Sequence, residues 1–274
     1  GGVIRIPEMG VIRRLFTFQD GLMVLASNGV WLIRGASGKG FAANDYRVRN
    51  ITSIGVDSPM SVINFKGTPM WWGKEGIYAA NYNPQYDSYD VQSVSLTTID
   101  IFFNDIPAIN RQYVKGVFSI YDNVAYWIFN DSASLASSDY YVYNRVLVFD
   151  GYTKAFYPWT ISTATPNVRG VALVVDPSNT NPPAFKFSTT ETIDTVSSYF
   201  TYSEFRDTNY VDWDTPGTAV DYDSYGIIGY RIHGETEKYF QANYVFTFFN
   251  TETNSSCFIQ GLWDFTNSGD SGKW

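Results

Sequence analysis

Leu22-Met23-Val24-Leu25-Ala26-Ser27-Asn28-Gly29-Val30-Trp31-Leu32-Ile33 is the stretch that decides the fold. Two apolar runs, too short for helices and enriched in β-branched and aromatic residues, flank a polar pair. Asn28-Gly29 has the chemistry of a two-residue hairpin turn, whose central positions take positive φ. The plan then recurs. Pro69-Met70-Trp71-Trp72-Gly73-Lys74, Glu75-Gly76 and Ile77-Tyr78-Ala79-Ala80 repeat the order of strand, X-Gly turn, β-branched residue, aromatic and apolar pair, with Gly76 lying 47 residues after Gly29. A looser copy runs Asn123-Val124-Ala125-Tyr126-Trp127-Ile128-Phe129 and resumes at Arg145-Val146-Leu147-Val148-Phe149-Asp150-Gly151. The polar insertion between them, 130–144, holds the low-complexity string Ser132-Ala133-Ser134-Leu135-Ala136-Ser137-Ser138, which has the composition of an exposed loop.

Working outward, a further strand precedes each hairpin, at 11–18, 61–65 and 115–121. Helical periodicity is almost absent, and Gly, Pro, Asn and Asp interrupt the pattern roughly every eight to twelve residues, so the chain reads as all-β. Repeats of about 40 to 50 residues with about four strands each have the period of propeller blades. The expectation is a β-propeller-like region over 1–190, with three blades in the first ~160 residues and 168–190 as a candidate fourth. A plain β-sandwich accommodates the same strands and stays open at this level. Beyond about Ile193 the rhythm changes to longer runs at 225–233, 239–249 and 256–265. These predict a further antiparallel β region over 191–274, with a boundary near residue 190. Because the chain starts without Met and stops on Trp274 directly after a turn-like Ser268-Gly269-Asp270-Ser271-Gly272, a segment of a longer polypeptide is expected.

The composition narrows the function classes. With 21 Tyr, 20 Phe and 8 Trp, the chain is built for pleated, half-buried surfaces and for contacts with one wet edge. A net charge of −8 argues against a surface that grips DNA phosphates, which needs clustered Lys and Arg. One cysteine, Cys257, excludes an internal disulfide and a Cys-based zinc site, and in a strand between Ser256 and Phe258 it reads as an inert buried thiol. No run approaches the ~18 apolar residues of a membrane span.

Candidate chemistry gathers in one acidic, aromatic stretch: Asp207, Asp212, Asp214, Asp221 and Asp223, interleaved with Tyr210, Trp213, Tyr222 and Tyr225. Alternating carboxylates suit calcium, but the Asp-x-Asp-x-Asp-Gly frame and later bidentate Glu are missing. Paired acids beside aromatic faces also suit glycoside cleavage, which needs two carboxylates at a set separation. The third reading is a polar contact or channel loop carried by Asp207, Asp212, Trp213, Asp214, Asp221 and Asp223, and it is the one adopted. His233 is the only histidine, which leaves a nucleophile triad a single candidate base and a multi-histidine metal site none. The end Ser268-Gly269-Asp270-Ser271-Gly272-Lys273-Trp274 falls one residue short of the Ser-x-Asp-x-Gly-x-Thr-Trp turn of sialidase-like propellers. Neither a phosphate-binding P-loop nor a dinucleotide-binding glycine motif is present. No catalytic residue, cofactor or metal is therefore assigned.

Several strings resemble a known family. Gly10-Val11-Ile12-Arg13-Arg14-Leu15-Phe16-Thr17-Phe18-Gln19-Asp20-Gly21, continuing through Leu22 to Trp31, and Val62-Ile63-Asn64-Phe65-Lys66-Gly67-Thr68-Pro69-Met70-Trp71-Trp72-Gly73-Lys74-Glu75-Gly76-Ile77-Tyr78 are similar to the opening propeller region of tail nozzle (tail tubular) proteins of short-tailed bacteriophages. Closer still are Ser224-Tyr225-Gly226-Ile227-Ile228-Gly229-Tyr230-Arg231-Ile232-His233-Gly234, Tyr244-Val245-Phe246-Thr247-Phe248-Phe249-Asn250-Thr251-Glu252 and Ser255-Ser256-Cys257-Phe258-Ile259-Gln260-Gly261-Leu262-Trp263-Asp264-Phe265. The segment 194–222 departs from the family pattern. The resemblance implies a non-catalytic virion protein, assembled in the host cytoplasm. It would form a homo-oligomeric ring beside other tail proteins (adaptor, fibres or spikes), through which DNA passes without sequence-specific binding. Such a ring needs two different mating faces per subunit. A carbohydrate- or receptor-binding propeller adhesin is the alternative, and a glycan-cleaving enzyme the third class.

Overall fold

In the computed structural model the chain forms two compact units, Gly1–Asp221 and Tyr222–Trp274. The residues described are 3–18, 21–35, 45–86, 88–96, 98–133, 142–161, 168–174, 184–193, 196–203, 212–215 and 218–220, all in the first unit. Their architecture is mostly β, and among them no sheet closes into a barrel.

Three four-stranded antiparallel sheets follow one another along the chain, each an uninterrupted meander. The first contains β1 (Ile12–Phe18), β2 (Gly21–Ala26), β3 (Gly29–Arg34) and β4 (Arg47–Thr52); the second contains β5 (Ile63–Phe65), β6 (Thr68–Trp72), β7 (Ile77–Asn83) and β8 (Ser88–Ser93). The third contains β9 (Lys115–Ser119), β10 (Val124–Phe129), β11 (Arg145–Asp150) and β12 (Ala155–Thr160). β13 (Val168–Val174), β14 (Ala184–Ile193) and β15 (Val196–Ser203) then make a three-stranded sheet, and β16 (Asp212–Thr215) and β17 (Thr218–Val220) a hairpin. The boundary expected near residue 190 falls inside β14, which pairs with β15 from Lys186↔Ser203 to Ile193↔Val196. Strand pairing carries the chain across that point, and the two units divide after Asp221.

The central strands read as continuous apolar runs because both faces of each sheet are covered, and the period of two sends alternate residues into different cores. Met23, Leu25, Val30 and Leu32 of sheet 1 meet Trp71, Tyr78 and Ala80 of sheet 2. The other face of sheet 2 sends Met70, Trp72, Ile77 and Ala79 against Ala125, Trp127, Phe129, Leu147 and Phe149 of sheet 3. Tyr126, Ile128, Val146 and Val148 then point the opposite way, where Val171 of β13 packs. The far face of sheet 1, with Val24, Ala26, Trp31 and Ile33, is covered by Ile4, Ile6 and Met9.

The linker from sheet 1 to sheet 2 ties all three sheets together. Val56 N donates to Ala26 O at 2.9 Å and Asp57 N to Trp72 O at 3.0 Å. Ser58 Oγ donates to Val114 O at 2.6 Å, just ahead of sheet 3. A single 3-10 turn, Pro59–Ser61, follows; Ser61 O accepts from the buried Trp127 indole at 2.9 Å, and Ser61 Oγ accepts from Trp72 N at 3.2 Å.

Besides the second hairpin, which turns through 73–76 rather than through Glu75-Gly76 alone because Trp72 pairs with Ile77, two features depart from the sequence expectation. The two-residue turn of the first hairpin is Ser27-Asn28, not Asn28-Gly29, since Ala26 pairs with Gly29. Neither turn residue has positive φ. Asn28 serves instead as a clamp, accepting from Gly10 N at 2.7 Å and donating to Glu8 O at 2.9 Å. Gly29 is set by a close approach: a Cβ there would lie 2.7 Å from Thr52 O. A two-residue turn with both φ positive occurs elsewhere, at Lys66 (φ 50°) and Gly67 (φ 88°) between β5 and β6. The second departure is a pair of short helices, α1 (Asp100–Asp105) and α2 (Ala108–Arg111).

Candidate contact surface

In a meander, alternate connections emerge at opposite ends of the sheet, so the stack has two distinct ends. At one end lie the β2–β3 turn, the β6–β7 loop (73–76) and the described stems of the β10–β11 connection (130–133 and 142–144); side chains of α2 bond to the β6–β7 loop and to the first of these stems. Helices this short have no stability of their own in water, and Arg111 supplies it. Its guanidinium lies 4.6 Å from the Phe103 ring centroid. Nε and Nη2 donate to Ile106 O at 3.1 and 2.9 Å, Nη2 also reaches Asn104 O at 3.3 Å, and Nη1 donates to Lys74 O. One cation thus caps the C-terminus of α1 and fastens it to the β6–β7 loop. Burial pushes the Arg111 pKa down, opposed by the charge of Asp57. Burial also pushes the Asp57 carboxyl up, opposed by Arg111, Lys74 and Arg13.

Beside this, Asn110 Nδ2 donates to Asn130 O and Ser132 O, each at 3.0 Å. Arg145 pairs with Asp131 at 2.6 Å. These bonds fix the first stem of the connection and satisfy the buried Asn130 carbonyl, while Asn130 Nδ2 donating to Val142 O at 2.9 Å and Asp131 N to Asn144 Oδ1 at 3.1 Å join it to the second.

The other end gathers the β5–β6 turn, the β7–β8 loop, the β9–β10 loop and the β11–β12 loop. Lys66 Nζ sits 5.5 Å from the Tyr152 ring centroid, and Asp150 accepts from Tyr152 N at 2.7 Å and Thr153 Oγ1 at 2.9 Å. Those bonds, led by the one from Tyr152 N, hold the Asp150 carboxyl below its ordinary pKa. This end exposes large side chains: Tyr82 (40%), Tyr86 (67%), Tyr121 (62%), Tyr152 (74%) and Ile120 (69%). Between sheets 1 and 2 it opens into a recess of about 410 Å³ whose floor includes Phe16 and Tyr89.

Of the acidic stretch singled out in the sequence, Asp212, Trp213 and Asp214 lie on β16, where Asp212 pairs with Val220 and Trp213 with Ala219, and the register slips before Thr215. Asp207, Asp221 and Asp223 lie outside the described residues, as do His233 and Cys257. Among the described residues no group of three or more His, Cys, Asp or Glu side chains is placed to hold a metal ion, and no helix is long and apolar enough to cross a membrane. The tyrosine-bearing end was missed in the sequence because its members come from strand β7 and three separate loops. The one available signal was Tyr beside Gly, Asn or Asp at turn positions, as in Tyr121-Asp122-Asn123 and Gly151-Tyr152.

No protein-family model matches the chain, and no curated protein matches it.

Proposed function

We propose that the chain is a non-catalytic structural subunit of the tail of a short-tailed bacteriophage, in which propeller-like blades form part of a homo-oligomeric ring around the DNA exit channel. The observation that carries the reading is the regular succession of three four-stranded meanders, stacked face to face through shared cores. This is the order a blade repeat requires. Its first two sheets include two of the strings that resemble tail nozzle proteins. Adaptor and fibre or spike proteins are the expected neighbours, and the mature location is the virion.

The mechanism is mechanical: the subunit extends the channel, retains packaged DNA and lets it pass. The net charge of −8 favours passage by like-charge repulsion. That argument applies to the chain beyond the first sheet, because Arg13, Arg14, Arg47 and Arg49 are exposed on β1 and β4. The direct test is the mass of the purified, untagged protein over a range of concentrations, with electron microscopy of the particles. Closed rings, alone or on mixing with tail components, are expected; a monomer that never joins a tail would overturn the reading.

A further inference from the structure

β1 lacks the cover that its counterparts have. The strands β1, β5 and β9 each open a meander, and β9 touches both β5 and β13. Every residue of β9 is buried or half-buried, and in β5 only Asn64 is exposed. Residues 11–15, by contrast, are all exposed, and three of them are large and apolar: Val11 (65%), Ile12 (56%) and Leu15 (55%). Ile12 pairs with Ala26 and Leu15 with Val24. Cross-strand partners share a face, so both lie on the outer face of sheet 1, where Ile4, Ile6 and Met9 cover the buried residues of β2 and β3. That cover stops short of β1.

Charge divides along the chain in the same place. Residues 1–52, which make sheet 1, hold seven Lys and Arg against three Asp and Glu, whereas residues 53–274 hold twelve against twenty-four. The net negative charge thus conceals a positive first sheet and a strongly negative remainder. Arg13 is exposed on β1, and Arg5 is exposed on the segment that covers the face. Two such sheets repel one another, which disfavours a two-fold contact through this face, while the acidic remainder of another copy attracts it. A DNA backbone would match the charge but leave Val11, Ile12 and Leu15 without an apolar partner.

We propose that β1 and the outer face of sheet 1 dock on the acidic remainder of a second copy of this chain, with Ile12 and Leu15 at the dry centre of a head-to-tail contact and Arg13 and Arg5 at its rim. The contact would supply one of the two mating faces of the ring, and it rests on the tail reading only for closure into a ring.

The test is sedimentation velocity of the full chain at concentrations up to about 100 µM. Concentration-dependent association is expected, weakened roughly tenfold or more between about 0.05 and 0.5 M salt. Leu15→Asp should weaken it by roughly tenfold or more and leave the melting temperature unchanged, since position 15 is exposed. Ile120→Ser, in the β9–β10 loop, should associate as the parent does. Mixed in excess with the native chain, Leu15→Asp should still form one-to-one complexes, because its acidic surface remains able to receive the native first sheet; a two-fold contact would exclude it. The proposal is overturned by a native chain that stays monomeric throughout, by a Leu15→Asp variant that assembles like the parent, or by its exclusion from the mixture. A monomeric Leu15→Asp variant with a lowered melting temperature would also overturn it, by assigning the face to residues 222–274 of the same chain. Open strings of subunits that depend on Leu15 would refute the ring and keep the contact, whereas closed rings indifferent to Leu15→Asp would keep the ring and refute the contact.

Discussion

Replacing Arg111 by Met keeps most of the apolar stem and removes four donated hydrogen bonds and the contact with the Phe103 ring. The carbonyls affected are not equivalent. Ile106 is only 2% exposed, so its oxygen loses its donors with little access to water, a cost of about 2 kcal/mol. Asn104 and Lys74 belong to exposed residues, and their carbonyls recover water at a net cost of about 0.5 kcal/mol each. Loss of the cation over the ring adds about 1 kcal/mol. Relief of the desolvation of Arg111 itself offsets about 1 kcal/mol, leaving a net destabilisation of about 3 kcal/mol. For a unit of this size that corresponds to a fall in melting temperature of roughly 6 to 12 °C. Scanning calorimetry measures it directly. Arg111→Lys should recover less than half of the loss, because an ammonium cannot reproduce the fork that reaches Ile106, Asn104 and Lys74 together. A fall below about 2 °C for Arg111→Met, or a Lys variant that melts with the parent, would refute the view that this guanidinium holds the two helices in place.

Asp57→Asn tests the half-buried carboxyl beside it. Because burial raises its pKa in the fold, the charged form is penalised; its contribution to stability is full below the unfolded pKa and is lost as pH rises through the folded pKa. The Asn variant should therefore be the more stable at pH 7, with the difference closing as pH falls below the ordinary carboxylate range; denaturant titrations at pH 7 and pH 3.5 would show it, and a less stable variant at pH 7 would contradict it. Two glycines separate steric from conformational demands. At Gly55 a Cβ would lie 2.0 Å from Ser27 O, so Gly55→Ala should cost about 3 kcal/mol or prevent folding, whereas Gly67→Ala meets nothing within 4 Å and should cost about 1 kcal/mol through its positive φ alone. Equal losses at the two sites, read from denaturant midpoints, would argue against that distinction. Trp127→Phe removes the bond to Ser61 O and should cost about 1 to 2 kcal/mol, with protection against hydrogen exchange reduced at Trp72 N and Asp57 N; a purely local loss within β10 would count against the linker as a shared tie.

What was legible in the sequence was what is buried on both sides. β2, β3, β6, β7, β10 and β11 stand out because Met23 to Ala26, Met70 to Trp72 and Ala125 to Phe129 contribute to two cores at once. The outer strands β4 and β8 did not, since Arg47-Val48-Arg49-Asn50 and Tyr89-Asp90-Val91-Gln92 cover one face and leave polar residues to water. α1 and α2 were hidden for a different reason. Six and four residues cannot display a helical period, and the residue that stabilises them acts through tertiary contacts. The recess was hidden because Phe16, Asn64, Tyr82 and Tyr89 belong to four strands brought together only by stacking. The hairpin turn was misplaced by one residue because Asn-Gly is equally suited to a clamp followed by a close backbone approach.

The linker that joins the first two sheets also sets how this chain can change length. Between Ala26 O, Trp72 O, Val114 O and the Trp127 indole, residues 56–61 meet partners in all three sheets. One residue inserted there would put every later partner out of step, displacing three sheets relative to one another. The described stems of the 130–144 connection are instead bonded to each other, Asn130 Nδ2 donating to Val142 O at 2.9 Å and Asp131 N to Asn144 Oδ1 at 3.1 Å. A change of length between those stems leaves both bonds in register, so divergence in length should be absorbed there and refused in the linker.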